Sequence, residues 1–181
     1  MDESGLCVYV VDDDASARGG LARLFAAEGW RVEAFAGADE FLARPLPDTT
    51  ACLVLDVQMP GMRGPELQRA LRAAGRELPI VFLTGHADVA TGVTAMTEGA
   101  VDYLLKTVDG DVLVDTVRRA LERHAAARAL DARRRAVRER YARLTARERD
   151  VLALVVRGML NKQIGAALDI AEKTVKTHRG R

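Results

Sequence analysis

Short apolar runs bounded by polar residues recur along the first part of the chain: Val8-Tyr9-Val10-Val11, Cys52-Leu53-Val54-Leu55, Ile80-Val81-Phe82-Leu83 and Tyr103-Leu104-Leu105. Runs of this length read as buried strands, here over 6–12, 51–56, 79–84 and 101–105. Arg31-Val32-Glu33-Ala34-Phe35 alternates instead, as a half-exposed edge strand does. Between the strands the apolar period changes. Ala15 to Glu28 reads as a helix with Leu21, Leu24 and Phe25 on one face and Gly29 closing it. Asp39 to Ala43 is a short helix ended by Pro45 and Pro47, and residues 57–64 form a loop containing Pro60, Gly61 and Gly64. Pro65 suits the first turn of a helix reaching Ala74, and Asp88 to Glu98 is another, stopped by Gly99. Regular alternation of strand and helix implies right-handed crossovers and an α/β fold, a parallel sheet covered on both faces.

After Gly110 the pattern turns entirely helical. Residues 111–143 are rich in Arg and Ala and hold no Pro or Gly. Leu130, Val137 and Leu144 are spaced by heptads with Tyr141 between the last two, but Arg134 falls where another apolar residue belongs. The segment reads as a helical linker with a weak dimer seam or as a solvated helix, the two being equally compatible with the pattern. Thr145-Ala146-Arg147-Glu148 is a capping box that opens a helix with Val151, Leu152, Leu154 and Val155 on its apolar face, ended by Gly158. Asn161 to Leu168 is a second helix, Asp169-Ile170 a turn, and Glu172 opens a third. Two short helices joined by a tight turn form a helix-turn-helix with the last as recognition helix.

Charge separates the same two parts. Residues 1–117 carry 9 Lys/Arg against 19 Asp/Glu, a net of −10, and residues 118–181 carry 18 against 7, a net of +11. A basic C-terminal part suggests nucleic acid as its partner. No apolar run is long enough to span a bilayer, and the acidic start Met1-Asp2-Glu3-Ser4 is no signal peptide. The two cysteines, Cys7 and Cys52, fall in strands and read as buried, reduced, small hydrophobes, which suits a cytoplasmic protein.

Each central strand ends in a residue with chemistry: Asp12 and Asp13, Asp56, Thr84 and Lys106. In a parallel sheet all strand C-termini share one rim, where ligands bind. Three carboxylates gathered there call for a hard divalent cation such as Mg²⁺. An ammonium and a hydroxyl beside it suit a phosphoryl group. Asp14 reads as a helix N-cap or a solvated acid. Neither His86 nor His124 has a second ligand at metal-binding spacing.

Val-Val-Asp-Asp, Leu-Asp-Val-Gln-Met-Pro-Gly, Phe-Leu-Thr-Gly-His and Asp-Tyr-Leu-Leu-Lys, in that order over residues 6–118, resemble the receiver domain of a two-component response regulator. Residues 144–181 resemble the start of a LuxR-type DNA-binding domain, so the whole resembles a NarL/FixJ-type transcriptional regulator. The resemblance implies a doubly wound five-stranded sheet of order 2-1-3-4-5. It divides the chain into a receiver (1–118), a helical linker (119–143) and a helix-turn-helix domain (144–181). It makes Asp56 the phosphoacceptor, with Lys106 and Thr84 holding the phosphoryl oxygens. Asp12, Asp13, Asp56 and the carbonyl of Gln58 would ligate Mg²⁺. Thr84 and Tyr103 would form the output switch, and the surface from Val89 to Tyr103 a dimer face.

In the last helix the resemblance points Lys176 and Thr177 at base edges and Lys173 and Arg179 at phosphates, with Thr174 and Arg181 on the same helix and Val175 and His178 facing inward. Asn161, Lys162 and Gln163 match the family's scaffold helix. The implied partners are a sensor histidine kinase, double-stranded DNA and a second copy on phosphorylation, with no membrane. The implied role is transcriptional, and activating, rather than enzymatic beyond self-catalysed phosphotransfer and dephosphorylation.

Two departures from the family pattern stand out. Thr107 follows Lys106 where the family has a cis Pro, which predicts either a cis bond costing about 2.5–4 kcal/mol or a trans loop that displaces Lys106. The family also continues the recognition helix and adds a fourth helix past the point matching Arg181, so the DNA-binding domain is expected to be incomplete. A phosphorylation-independent binding module is the rival expectation. An Asp-nucleophile phosphatase would use Asp-x-Asp, which Asp56-Val57-Gln58 lacks.

Overall fold

A computed structural model of the chain describes residues 5–86 and 88–179. The chain divides into two compact units, Met1–Arg128 and Ala129–Arg181. In the first, β1 (Leu6–Val11), β2 (Arg31–Phe35), β3 (Thr50–Asp56), β4 (Ile80–Thr84) and β5 (Asp102–Leu105) alternate with α1 (Ala15–Ala27), α2 (Ala38–Ala43), α3 (Gly64–Ala73) and α4 (Val89–Thr97). All strand pairs are parallel and the order is β2-β1-β3-β4-β5. Asp56 thus ends the central strand, with Asp12 after its neighbour on one side and Thr84 ending its neighbour on the other. Element ends fall within about one residue of those expected, the usual uncertainty where terminal turns fray.

Strand alternation sends successive side chains to opposite faces. Tyr9, Leu53, Leu55 and Phe82 pack beneath α2, α3 and α4 with Phe41, Leu67 and Leu71. Val8, Val10, Val54 and Val81 pack on the other face with Phe25 of α1 and Val114, Val117 and Leu121 of α5 (Gly110–Arg143). The two buried cysteines belong to different faces, Cys7 to the first and Cys52 to the second. Both act there as small hydrophobes, and the sheet between them keeps their sulfurs apart.

The first part of α5 is anchored at the N-terminal edge of the sheet. Ala51 lies one residue into β3, where β4 offers no partner because its register begins at Leu53. The Ala51 N–H donates instead to Nδ1 of His124, at 3.0 Å. One turn further, Arg128 pairs with Asp48 at 2.7 Å. Burial, then the nearby Arg128 charge, holds the His124 pKa below its ordinary value.

The second unit holds the C-terminal part of α5 with α6 (Ala146–Val156), α7 (Asn161–Leu168) and α8 (Glu172–Arg179). Leu130, Val137 and Tyr141 are exposed along α5. The expected capping box opens α6: Thr145 Oγ1 accepts the Glu148 N–H at 3.2 Å, and Glu148 Oε2 accepts the Thr145 N–H at 2.9 Å. Val151, Ile164 and Val175, one from each helix, form the core. Two backbone features fix the turn between α7 and α8. Asp169 is left-handed at φ 53°, and a Cβ on Gly165 would lie 2.7 Å from the Ile170 carbonyl oxygen. Only glycine allows that approach. Among the described residues no helix is long and apolar enough to cross a membrane. Met1–Ser4, read above as no signal peptide, lie outside the described residues.

A pH dependence of stability follows from His124. Its neutral form accepts the Ala51 N–H, so the contribution is full above the unfolded pKa of about 6.5 and is lost as pH falls through the lower folded value. The stability difference between wild type and His124→Leu, followed by thermal melting from pH about 7.5 to about 5.5, should therefore shrink with acidity. Parallel pH profiles would refute it.

Candidate functional site

The turn after β1 is built by its own acids. Asp14 caps α1, accepting from Ala17 N at 3.1 Å and Ser16 N at 2.7 Å, which holds its carboxyl below the ordinary carboxylate range. The Asp14 N–H donates to Asp12 Oδ1 at 2.9 Å. That bond fixes a carboxylate only 1% exposed. Asp13, by contrast, faces solvent. Asp56 is 6% exposed, and its Oδ1 accepts the Gln58 N–H at 3.1 Å.

Lys106 joins the two buried acids. Its Nζ lies 2.7 Å from Asp12 Oδ2 and 2.8 Å from Asp56 Oδ2. Burial by itself pushes the ammonium pKa down, but hydrogen bonds to Asp12 and Asp56 outweigh it and the net shift is upward. Burial raises the Asp12 pKa, against the lowering by Lys106 and the Asp14 N–H. The peptide bond after Lys106 is trans, since no cis bond occurs among the described residues. The expected dilemma at Thr107 therefore resolves without a displaced lysine: the loop runs trans, the Lys106 N–H donates to the Thr84 carbonyl at 2.8 Å, and the ammonium reaches both acids.

One carboxylate oxygen from each of Asp12, Asp13 and Asp56 lies within 4.8 Å of the others. A hard anionic oxygen set of this kind fits Mg²⁺, which takes one or two carboxylates and keeps several waters. Gln58 is exposed at the same rim. Thr84 is buried, and its hydroxyl donates to the His86 carbonyl at 2.9 Å rather than toward Asp56. The Tyr103 ring is turned inward under α4, where a Cβ on Gly92 would lie 3.2 Å from it. The Tyr103 hydroxyl is buried with no hydrogen-bond partner among the described residues.

Sequence reasoning missed two supports of this site. Gly64 opens α3 so close to the strand end that a Cβ there would overlap the Asp56 carbonyl oxygen. Arg18 reaches back from α1 to the carbonyl of Asp12 at 2.7 Å and that of Asp13 at 3.2 Å. An isolated glycine and an arginine in a first helical turn carry no local signal of such contacts.

On α8, Lys173, Thr174, Lys176, Thr177 and Arg179 are all exposed, while Val175 is buried and His178 half-buried. Lys176 pairs with Glu172 at 3.3 Å, the Thr177 hydroxyl donates to the Lys173 carbonyl at 3.1 Å, and Arg179 donates to Asn161 Oδ1. Arg181 lies outside the described residues.

A five-stranded parallel sheet with acids at its C-terminal rim, followed by a three-helix unit with a basic last helix, defines a class of signalling regulator. Residues 8–118 match the response regulator receiver domain, and residues 142–181 match the LuxR family of bacterial regulatory proteins. Nodulation protein W of Bradyrhizobium diazoefficiens is 42% identical over 96% of this chain and 76% of its own length. The transcriptional regulatory protein FixJ of Azorhizobium caulinodans is 40% identical over 99% of this chain and 84% of its own. The solved structure of response regulator StyR superposes with a TM-score of 0.91 at 42% identity, covering 98% of this chain and 89% of that one.

The chain belongs to the response regulator family, as a transcriptional regulator of the two-component type with a LuxR-type DNA-binding region. Its family is not one of classical enzymes, and the receiver implies a histidine kinase as partner.

Gly64→Ala should cost about 1–3 kcal/mol, because backbone and the Phe82 ring must both yield to the added methyl. Chemical denaturation measures this, and a cost within experimental error of zero would contradict the close approach.

Proposed function

We propose that Asp56 is the phosphoacceptor of this receiver and that its phosphorylation drives assembly on DNA. The observation that carries this reading is the Asp56 carboxylate, on the central strand, shared by Lys106 with Asp12 and close to Asp13. An Asp56 oxygen forms the new bond to phosphorus as the phosphorus–nitrogen bond of a kinase phosphohistidine breaks. Asp12, Asp13, Asp56 and the Gln58 carbonyl would hold Mg²⁺, which would offset repulsion between the acids and the phosphoryl oxygens. Lys106 then shifts its hydrogen bond from the carboxylate to a phosphoryl oxygen, and the Thr84 hydroxyl leaves the His86 carbonyl for another.

The switch continues into Tyr103. Its inward ring keeps α4 and β5 in one arrangement, and the added charge biases that arrangement. Val89, Val93 and Met96 on α4 and Leu105 on β5 are exposed apolar side chains that suit a contact between two receivers. Dimerisation in turn suits the output, since paired helix-turn-helix units read two half-sites. On α8, Lys176 and Thr177 read base edges, Lys173 and Arg179 hold phosphates, and Thr174 lies beside them. The protein works in the cytoplasm, beside the kinase domain and the DNA, and raises transcription of its targets.

Native mass spectrometry with Mg²⁺ and acetyl phosphate tests the reading. Wild type should gain one phosphoryl group and shift from monomer to dimer, and Asp56→Asn should do neither. No mass gain in wild type would overturn the assignment, and gain without dimer would remove the assembly step. Gly92→Ala, which crowds the Tyr103 ring, should accept the phosphoryl group at close to the wild-type rate but dimerise less. Unchanged dimerisation would take Tyr103 out of the switch.

A further inference from the structure

The geometry points to Arg18 as a positioning residue for the cation site, acting through the backbone that carries Asp12 and Asp13. This rests on the metal-site reading above. Arg18 is half-buried in the first turns of α1, and its guanidinium turns back along the chain. Nη1 donates to the Asp12 carbonyl at 2.7 Å and the Asp13 carbonyl at 3.2 Å. At this point β1 has ended. The Asp12 N–H still bonds to the Phe35 carbonyl at 3.2 Å, the last ladder bond on that side. The next two carbonyls have left the sheet and precede the helix, so neither element offers them a donor. Arg18 supplies it from a fixed place, because Asp14 caps the same helix and the Arg18 N–H bonds to the Asp14 carbonyl at 2.9 Å.

The turn is thus closed twice, by Asp14 forward into α1 and by Arg18 backward from it. Asp12 has further restraint, through the Asp14 N–H and Lys106. Asp13 is exposed and its carboxylate has no hydrogen bond among those found in the described residues. Its position therefore depends on its backbone, and Arg18 is the side chain that holds that backbone. Groups behind metal ligands commonly set affinity in this way, by reducing the freedom that binding must remove.

The opposing effect has the opposite sign. A guanidinium beside a cation site repels the cation, so field alone predicts tighter binding once Arg18 is removed. Positioning predicts weaker binding. The sign of the change decides between them.

The experiment is Mn²⁺ binding to the unphosphorylated full chain, read by electron paramagnetic resonance of the free ion, with thermal melting alongside. Arg18→Met should weaken Mn²⁺ binding roughly tenfold relative to wild type. Phosphorylation by acetyl phosphate should recover when Mg²⁺ is raised to saturation, which a general loss of fold would not permit. Arg18→Lys keeps the charge, but its side chain is one bond shorter and falls short of the two carbonyls that Nη1 reaches. It should also bind more weakly than wild type, and it serves alone if Arg18→Met does not fold. Unchanged or tighter binding in the folded variants would overturn the inference. Wild type that binds no Mn²⁺ would overturn both this inference and the metal-site reading beneath it, whereas intact wild-type binding with unaltered variants would overturn this inference only.

Discussion

Two nearly buried carboxylates share one ammonium, and the rim of the sheet is arranged around that fact. Asp12 and Asp56 repel each other and lose hydration in their pocket, and an unpaired buried charge is costly. Lys106 offsets both, with contacts of 2.7 and 2.8 Å. For this to happen β1 and β3 must be adjacent and Lys106 must leave β5 at the same rim. The bond from the Lys106 N–H to the Thr84 carbonyl extends the β4–β5 ladder to that rim. The ammonium is then held by the same oxygens that chemistry at Asp56 would need, so its hydrogen bonds are available for exchange.

The central strands β1, β3 and β4 were legible because they are buried on both faces, which makes them continuous apolar runs with chemistry at their ends. The capping box at Thr145 was legible for a different reason: a cap is local, and its partners lie within three residues. Strand order was not legible from periodicity, since a run such as Ile80–Leu83 has the same pattern at any position in a parallel sheet. The resemblance to receivers supplied it. What escaped altogether were contacts from side chain to distant backbone. His124 accepting from Ala51 spans 73 residues and involves a helix that otherwise reads as linker. Gly64 against the Asp56 carbonyl is a matter of missing volume, which no hydrophobic pattern records.

The orientation of Tyr103 belongs to the same group. An aromatic residue on an edge strand is equally consistent with an outward or an inward ring. Here the space left by Gly92 and the face of Phe82 admit it inward, with ring centroids of Phe82 and Tyr103 6.2 Å apart. Thr107 shows the reverse error. Comparison with a cis-Pro pattern suggested that lysine placement hangs on the bond after it, whereas in the trans loop the ammonium still reaches both Asp12 and Asp56.

Gly165 has a consequence for how such a regulator can diverge. Its approach to the Ile170 carbonyl leaves no room for a Cβ, so any other residue there would force the turn between α7 and α8 to shift. The outward positions of α8 are under no such restriction: Lys173, Thr174, Lys176 and Thr177 are exposed, and the core needs only Val175 from that helix. The outer face of α8 can therefore change residue by residue with the frame that presents it left intact.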